Sequence, residues 1–464
     1  MAETKSYFFC GVGGSGMLPL ACILRARGAE VGGSDRSLDQ GRVGAKFDFL
    51  SRQGIALFPQ DGSGLTRADQ ILVTSAAVEE NVPDVIAAKR VGAERLTRPQ
   101  LLAALFNAAG TGIAVGGTSG KSTVTGMIGW ILHAAGRDPT VMNGAVMKNF
   151  VTDETPFASA LVGRGEDFVS EVDESDGSIA LYRPRIAVLN NVTLDHKSMD
   201  ELRDLFRNFV GKAETAILNL DDEETRVLSG FVPVGRRVTF SLGDPRADYF
   251  ADGIEEAPLA ISFRLKVRSA EPVPVRLPVP GRHNVANALA AIAASAAAGL
   301  SIHEAADALG GFTGLRRRLE VVGTRNGISV IDDFGHNPDK IAATLDTLHA
   351  FPGRLLLMFQ PHGFGPLKVL KEALIETFVS RMQAEDVLIM PDPVYFGGTV
   401  ERAVGSEAIV AGVGEAGRQA EYVAERAEAG RRLVELARPG DRIVIMGARD
   451  DTLSVFAEEV LQAL

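Results

Sequence analysis

Cysteine is nearly absent from this chain: Cys10 and Cys22 are the two among 464 residues, and neither falls in a CxxC or metal-ligand spacing. That argues against a disulfide framework or a structural zinc site and in favour of the cytoplasm. No run of Lys or Arg stands out against a formal net charge of −11, so a nucleic-acid duplex or an anionic membrane surface is not the expected partner. The apolar stretches fall short of the ~20 residues a membrane helix needs. The start, polar MAETKS running into YFFCGV, lacks the basic segment and cleavage site of a secretory leader. Internal repeats, low-complexity tracts and Pro/Ser-rich linkers are also missing.

What is present is enough apolar material for several cores, 46% hydrophobic against 23% charged, in a chain too long for one ordinary domain. Short apolar runs such as Tyr7 to Gly11, Gln70 to Thr74, Thr111 to Val115, Ile186 to Asn190, Ile328 to Ile331, Arg354 to Phe359 and Arg442 to Met446 alternate with helical patterns. That alternation predicts parallel α/β sheets. Glycine-rich turns after Cys10 and Val115 and an acidic pair after Ile331 each open a unit, giving three domains over 1–109, 110–313 and 314–464. Residues 235–280 alternate in period two and predict a small β-rich insertion covering one face of the central domain, before an Ala-rich helix from Val285 to Gly299.

Five constellations carry chemistry. Gly11-Val-Gly13-Gly14-Ser15-Gly16 stands between a strand and a helix, followed by Asp35; glycines let backbone approach a diphosphate, and Asp35 can meet a ribose hydroxyl. A turn requirement alone also explains such glycines. Gly116 to Thr123, GGTSGKST, predicts a phosphate loop, with Lys121 aimed at β/γ oxygens and the Ser122 or Thr123 hydroxyl available to Mg²⁺. The acidic run Glu171-Val-Asp173-Glu174-Ser-Asp176, with His196 after the next strand, offers ligands for that ion or is simply a solvated loop. His283, Asn284 and Asn287 open the Ala-rich helix and read as an adenine edge or as a helix cap. Lastly, Arg316-Arg317-Arg318, Asp332-Asp333-Phe-Gly-His336 and Gln360-Pro-His362 offer cations for a γ-phosphate and carboxylates for a ribose, or a solvated turn and a helix cap.

Taken in order, GVGGSGM, GGSD, TSAAV, GGTSGKST, EVDESD, DH, GRHNVANA, FTGLRRRLE, DDFGHNP and FQPHG resemble the Mur ligase family along nearly the whole chain. The resemblance is strongest to alanine-adding members. It implies a Rossmann-like UDP-sugar domain, a central P-loop ATPase domain and a Rossmann-like C-terminal domain. It further implies ATP and Mg²⁺ as cofactors, UDP-N-acetylmuramate and an amino acid, L-alanine, as substrates, and a monomer or homodimer. The reaction implied is phosphoryl transfer from ATP to the muramoyl carboxylate, then attack of the amine on the acyl phosphate. By the same matching, Gly13, Gly14, Ser15, Gly16, Met17, Asp35 and Ser75 meet the UDP-sugar. Gly117, Thr118, Gly120, Lys121, Ser122 and Thr123 hold ATP phosphates; His283, Asn284 and Asn287 meet adenine; Asp332 or Asp333 meets ribose. Ser122, Glu171 and His196 bind metal, Arg318 meets the phosphates, and His336 and His362 border the amino-acid site.

Departures bear on the amine. Ser119 and Ser122 stand in a loop that alanine-adding members usually write GTHGKT, so an imidazole is lost while the hydroxyl is kept. Gly363-Phe364-Gly365-Pro366 replaces an Arg-Tyr-Ser-Arg run, removing an arginine suited to a two-point grip on a carboxylate, and Asn337 stands where a second His is common. The competing expectations are a ligase for another amino acid or a recycled peptide, an NAD(P) oxidoreductase read from GxGxxG alone, and a non-catalytic nucleotide-binding relative.

Overall fold

The computed structural model describes residues 5–75, 78–194, 197–268, 270–394, 404–448, 450 and 452–464. Ser6–Cys10, five consecutive buried residues, forms the middle strand of an all-parallel five-stranded sheet ordered Ala56–Phe58, Glu30–Ser34, Ser6–Cys10, Gln70–Thr74, Glu94–Thr97. Chain order reverses at Ser6–Cys10, so the crevice beyond its carboxyl end is where an open α/β sheet takes ligands. The helix Met17–Ala26 leaves from that point, burying Met17, Leu20, Ala21 and Leu24 on one side and turning Arg25 outward. Gly33 is required where it stands: a Cβ there would lie 2.7 Å from Val12 and 2.8 Å from the Phe9 carbonyl.

A second sheet of ten strands has Thr111–Gly116 near its middle, flanked by parallel Ile186–Leu189 and Asp167–Glu171. The predicted β-rich insertion needs a correction of placement. Its strands Tyr249–Ala257, Ala260–Val267 and Val273–Leu277 extend this sheet at one edge, through Phe240↔Tyr249 pairing, rather than covering a face. Period-two burial, with Val273, Val275 and Leu277 buried and Pro274 and Arg276 exposed, is what an added edge with one solvated face produces as readily as a separate layer. The Ala-rich helix runs Arg282–Ala297, and Ala288 to Ala294 are all buried, so the small side chains serve close packing.

These two sheets lie in one compact unit, Met1–Glu255 with Ala260–Val279 and Asn284–Gly314; the other unit comprises Glu256–Leu259, Pro280–His283 and Leu315–Leu464. The second unit carries a six-stranded sheet ordered Glu320–Arg325, Ile328–Asp333, Arg442–Gly447, Leu355–Gln360, Val387–Met390, Gln419–Tyr422, parallel except at its first pair. Ile331, Leu357, Phe359 and Val444 pack one face and Val330, Met358 and Ile443 the other, which is why these strands read as continuous apolar runs. Three sheets in chain order agree with the expected three-domain α/β class.

Candidate active site

The phosphate loop is built by glycine backbone geometry. Gly117 and Gly120 take φ of +128° and +82° between Thr111–Gly116 and the helix Lys121–Ala134, conformations that L side chains rarely adopt. A Cβ on Gly120 would meet Asn190 Nδ2 at 2.7 Å and Asn287 Oδ1 at 2.8 Å. The loop is held from the next strand: the Ser119 N–H donates to Asn191 Oδ1 at 2.8 Å and the Thr118 hydroxyl to the same oxygen at 2.9 Å. Lys121 Nζ donates to the Gly117 carbonyl at 2.6 Å and to Glu174 at 2.8 Å. The Ser122 hydroxyl donates to Glu171 Oε2 at 2.8 Å, bringing together two of the three expected metal ligands. His196, the third, lies outside the described residues. Hard oxygens of this kind suit Mg²⁺, and Gly144 leaves Glu171 its space, since a Cβ there would run into Glu171 Oε1. Among the described residues no group of three His, Cys, Asp or Glu is gathered as for a protein-only metal cage.

Asn284 and Asn287 have a hold on this loop that their sequence context did not reveal. Asn190 Nδ2 donates to Asn287 Oδ1 at 3.3 Å and Asn287 Nδ2 to Asn284 Oδ1 at 3.1 Å, a buried amide chain behind Gly120. His283, expected to share their face toward adenine, falls in the other compact unit.

In the same unit as the loop, a cavity of about 490 Å³ opens beside the first glycine turn. Gly14, Ser15, Gly16, Met17 and Ser75, the residues expected to meet the UDP-sugar, line it together with Glu171 and Asp173. Gly13 and Asp35 do not line it. Asp35 accepts from the Gly13 N–H at 2.9 Å and from the Ser37 N–H at 2.8 Å, so its two oxygens shape the turn and cap a helix. Gly14 and Met17 N–H groups bond within the turn, which leaves those of Ser15 and Gly16 without an acceptor among the described residues.

Sequence reasoning missed Arg98, the one Lys or Arg among the described residues lining this cavity. Its guanidinium lies 3.0 Å from where a Cβ of Gly16 would stand and 3.9 Å from Asp176, so it spans the glycine turn and the acidic segment. The signal was faint: Arg98 opens the helix Arg98–Asn107 after a Thr97 capping box, and reads as an ordinary helix start. Burial pushes the Asp173 carboxyl upward, but the Ser175 hydroxyl and N–H, with Lys121 and Arg98 nearby, hold it below the ordinary carboxylate range.

In the second unit the arginine triplet divides its labour. Arg317, in the left-handed region at φ +59°, is buried and donates to the Gly447 carbonyl at 2.7 Å and the Asp450 carbonyl at 3.0 Å, beside Asp332 at 3.4 Å. Arg318 lies over the Phe334 ring, 4.4 Å from its centroid. The acidic pair is engaged internally: Asp332 is fully buried and accepts from Ser454 at 2.9 Å, while Asp333 accepts from Leu319 N–H, Gly335 N–H and Thr344. Asp333 organises the turn after Ile328–Asp333 through the Gly335 N–H, while Asp332 ties the strand to Ser454 and Arg317. His336 and His362 do come together, ring centroids 5.4 Å apart and edge to face. Burial, then the Lys340 charge, pushes His336 down to about 3, so its ring is neutral at physiological pH. Beyond His362, Gly363 at φ +141° leads into the helix Phe364–Arg381, whose first arginine is Arg381 at its far end.

Comparison with known proteins agrees with this architecture. Three family models match in succession: Mur ligase family, catalytic domain, over residues 6–109; Mur ligase middle domain over 115–295; and Mur ligase, glutamate ligase domain, over 317–449. The chain is 34% identical over 461 residues to a UDP-N-acetylmuramate–L-alanine ligase of Sorangium cellulosum, covering 97% of this chain and 94% of that protein. It is 32% identical to the Agrobacterium fabrum protein of the same name, covering 96% and 94%. Among solved structures, a UDP-N-acetylmuramate-alanine ligase from Thermotoga maritima superposes with a TM-score of 0.80 at 22% identity, covering 98% of each chain. A murein peptide ligase from Psychrobacter arcticus superposes with 0.70 at 25% identity, covering 99% and 98%. With all three models matched in order across most of its length, the chain belongs to the Mur ligase family.

Proposed function

We propose that this Mur ligase joins L-alanine to the carboxylate of UDP-N-acetylmuramate with conversion of ATP to ADP and phosphate, a step of peptidoglycan synthesis. The observation that carries the reading is one cavity lined both by the first glycine turn and by Glu171, which is itself bonded to Ser122 of the phosphate loop. A nucleotide sugar seated there presents its far end, the muramoyl carboxylate, to the γ-phosphate of ATP.

In this reading the Ser15 and Gly16 N–H groups and Arg98 receive the diphosphate, where fixed donors and a cation match two negative phosphates. Gly117, Thr118, Gly120, Lys121 and Thr123 hold the ATP phosphates, and His283, Asn284 and Asn287 serve adenine binding. Ser122 and Glu171, with His196, would hold Mg²⁺, which when bound offsets phosphate charge and lets the carboxylate approach an anionic acceptor. Lys121 supplies fixed positive charge at the β/γ oxygens. The muramoyl carboxylate becomes an acyl phosphate, and the amine then displaces phosphate to form the amide. Arg318, His336 and His362 belong to the phosphate and amino-acid side of the same proposal. His336, held down at about 3, is too weak a base to deprotonate the incoming ammonium, so its neutral ring serves the amino-acid site by hydrogen bonding and not by taking a proton.

The segment Gly363 to Pro366 favours one alternative, a relative adding another amine, because no arginine stands there to grip an α-carboxylate. A single assay separates the two readings: phosphate release with ATP, Mg²⁺ and UDP-N-acetylmuramate across the common amino acids and the stem tripeptide. Release that rises with L-alanine supports the proposal, dependence on another amine moves the donor, and silence throughout refutes the ligase reading.

A further inference from the structure

The segment closing Asp167–Glu171 holds four carboxylates in six residues, Glu171, Asp173, Glu174 and Asp176, and the reading above uses only the first as a ligand. Glu174 is the most interior of them for its charge, 4% exposed, and its Oε2 takes the Lys121 ammonium at 2.8 Å. The lysine's second bond, to the Gly117 carbonyl at 2.6 Å, folds the side chain back across its own loop. The cation that the loop offers to phosphates is thus already neutralised by a protein carboxylate. An incoming β/γ-phosphate has to take the lysine from Glu174.

We infer that Glu174 is a positioning residue that holds Lys121 in reserve, so that nucleotide binding is an exchange of partners on the lysine. The inference rests on the ATP reading of this loop. Two opposite charges out of water are tolerable only together, so the pair keeps Lys121 ordered. When phosphate displaces Glu174, a buried anion is left next to a polyanion, and this repulsion weakens binding unless further positive charge arrives with the nucleotide. Nucleotide without a divalent cation is therefore selected against by Glu174. A merely structural ion pair makes no such distinction.

The test is nucleotide affinity, read by calorimetry with ADP and ATP in EDTA and again with Mg²⁺. In Glu174→Gln the amide keeps the shape and loses the charge, and metal-free ADP should bind about tenfold tighter or better, with a smaller gain when Mg²⁺ is present. KM for ATP should fall together with kcat, since ADP would leave more slowly. Glu174→Asp, which keeps the charge and withdraws it by one methylene, should tighten metal-free ADP in the same direction by less, and covers the case in which the glutamine variant does not fold. Unchanged or weaker metal-free affinity in a folded variant overturns the inference. A wild-type protein that binds no adenine nucleotide, with or without Mg²⁺, overturns the ATP reading itself.

Discussion

Gly144→Ala is a small change with a directed consequence. The position is not a left-handed one, so the backbone accepts alanine, but the new Cβ would collide with Glu171 Oε1. Restoring van der Waals separation requires the carboxylate to retreat by roughly 1 Å. That movement strains the Ser122–Glu171 bond, now 2.8 Å long. A hydrogen bond to a charged group contributes about 1.5–3 kcal/mol, which corresponds to roughly ten- to more than a hundredfold in an equilibrium constant. We therefore expect the Mg²⁺ concentration for half-maximal phosphate release to rise at least about tenfold, while the melting temperature stays within about 3 °C of wild type. The metal titration is run at saturating ATP and UDP-sugar, with thermal unfolding followed on the same samples. A wild-type Mg²⁺ dependence would show that Glu171 has room to spare and would refute its placement against Gly144.

Three further outcomes can be measured. Arg98→Ala should raise KM for UDP-N-acetylmuramate by about tenfold or more, leave KM for ATP within about twofold, and weaken UDP itself, which carries the diphosphate without the carboxylate; unchanged UDP affinity would remove Arg98 from the diphosphate. His336 is held down at about 3, so the unfolded chain takes up a proton there that the folded unit refuses. Its contribution is complete above about pH 6.5 and is lost as pH falls toward 3, by at most about 5 kcal/mol, and His336→Gln should flatten that acid slope in denaturant melts between pH 7.5 and 4. Cys10 and Cys22 are both pushed up to about 12, chiefly by burial, so native protein should react with a thiol reagent far more slowly than protein in denaturant; equal rates would contradict their burial.

The fold was legible where local pattern and final architecture coincide. Strands such as Ser6–Cys10, Leu355–Gln360 and Arg442–Gly447 are buried on both faces, so their apolar runs mark them without any knowledge of neighbours. The phosphate loop was legible for a related reason: its chemistry needs backbone N–H groups, glycine conformations and one cation within eight residues, and all are written contiguously. Arg98 was not legible, because its place beside Gly16 comes from the parallel order of Ser6–Cys10, Gln70–Thr74 and Glu94–Thr97, a long-range arrangement. The edge position of Tyr249–Ala257 was hidden likewise, since period two reports one buried face and not which neighbour covers it.

Polar residues around the site divide into those aimed at a ligand and those holding the backbone that aims them, and sequence treats the two alike. Asp35, Asp332 and Asp333 follow strands where a ribose contact is reasonable, yet each carboxylate is bound by the chain's own donors. Their removal should act through the backbone and side chains they hold. Asp35→Asn retains an oxygen for one N–H and turns an amide NH2 donor toward the other, so it should disturb Gly13 and weaken the nucleotide sugar without touching it. The contrast with Arg98 gives the distinction experimental content. Loss of a residue that contacts the diphosphate directly reduces affinity for UDP at every temperature, whereas loss of a turn-organising carboxylate also lowers the unfolding temperature of the unit that contains it, and added UDP-sugar should restore part of that loss.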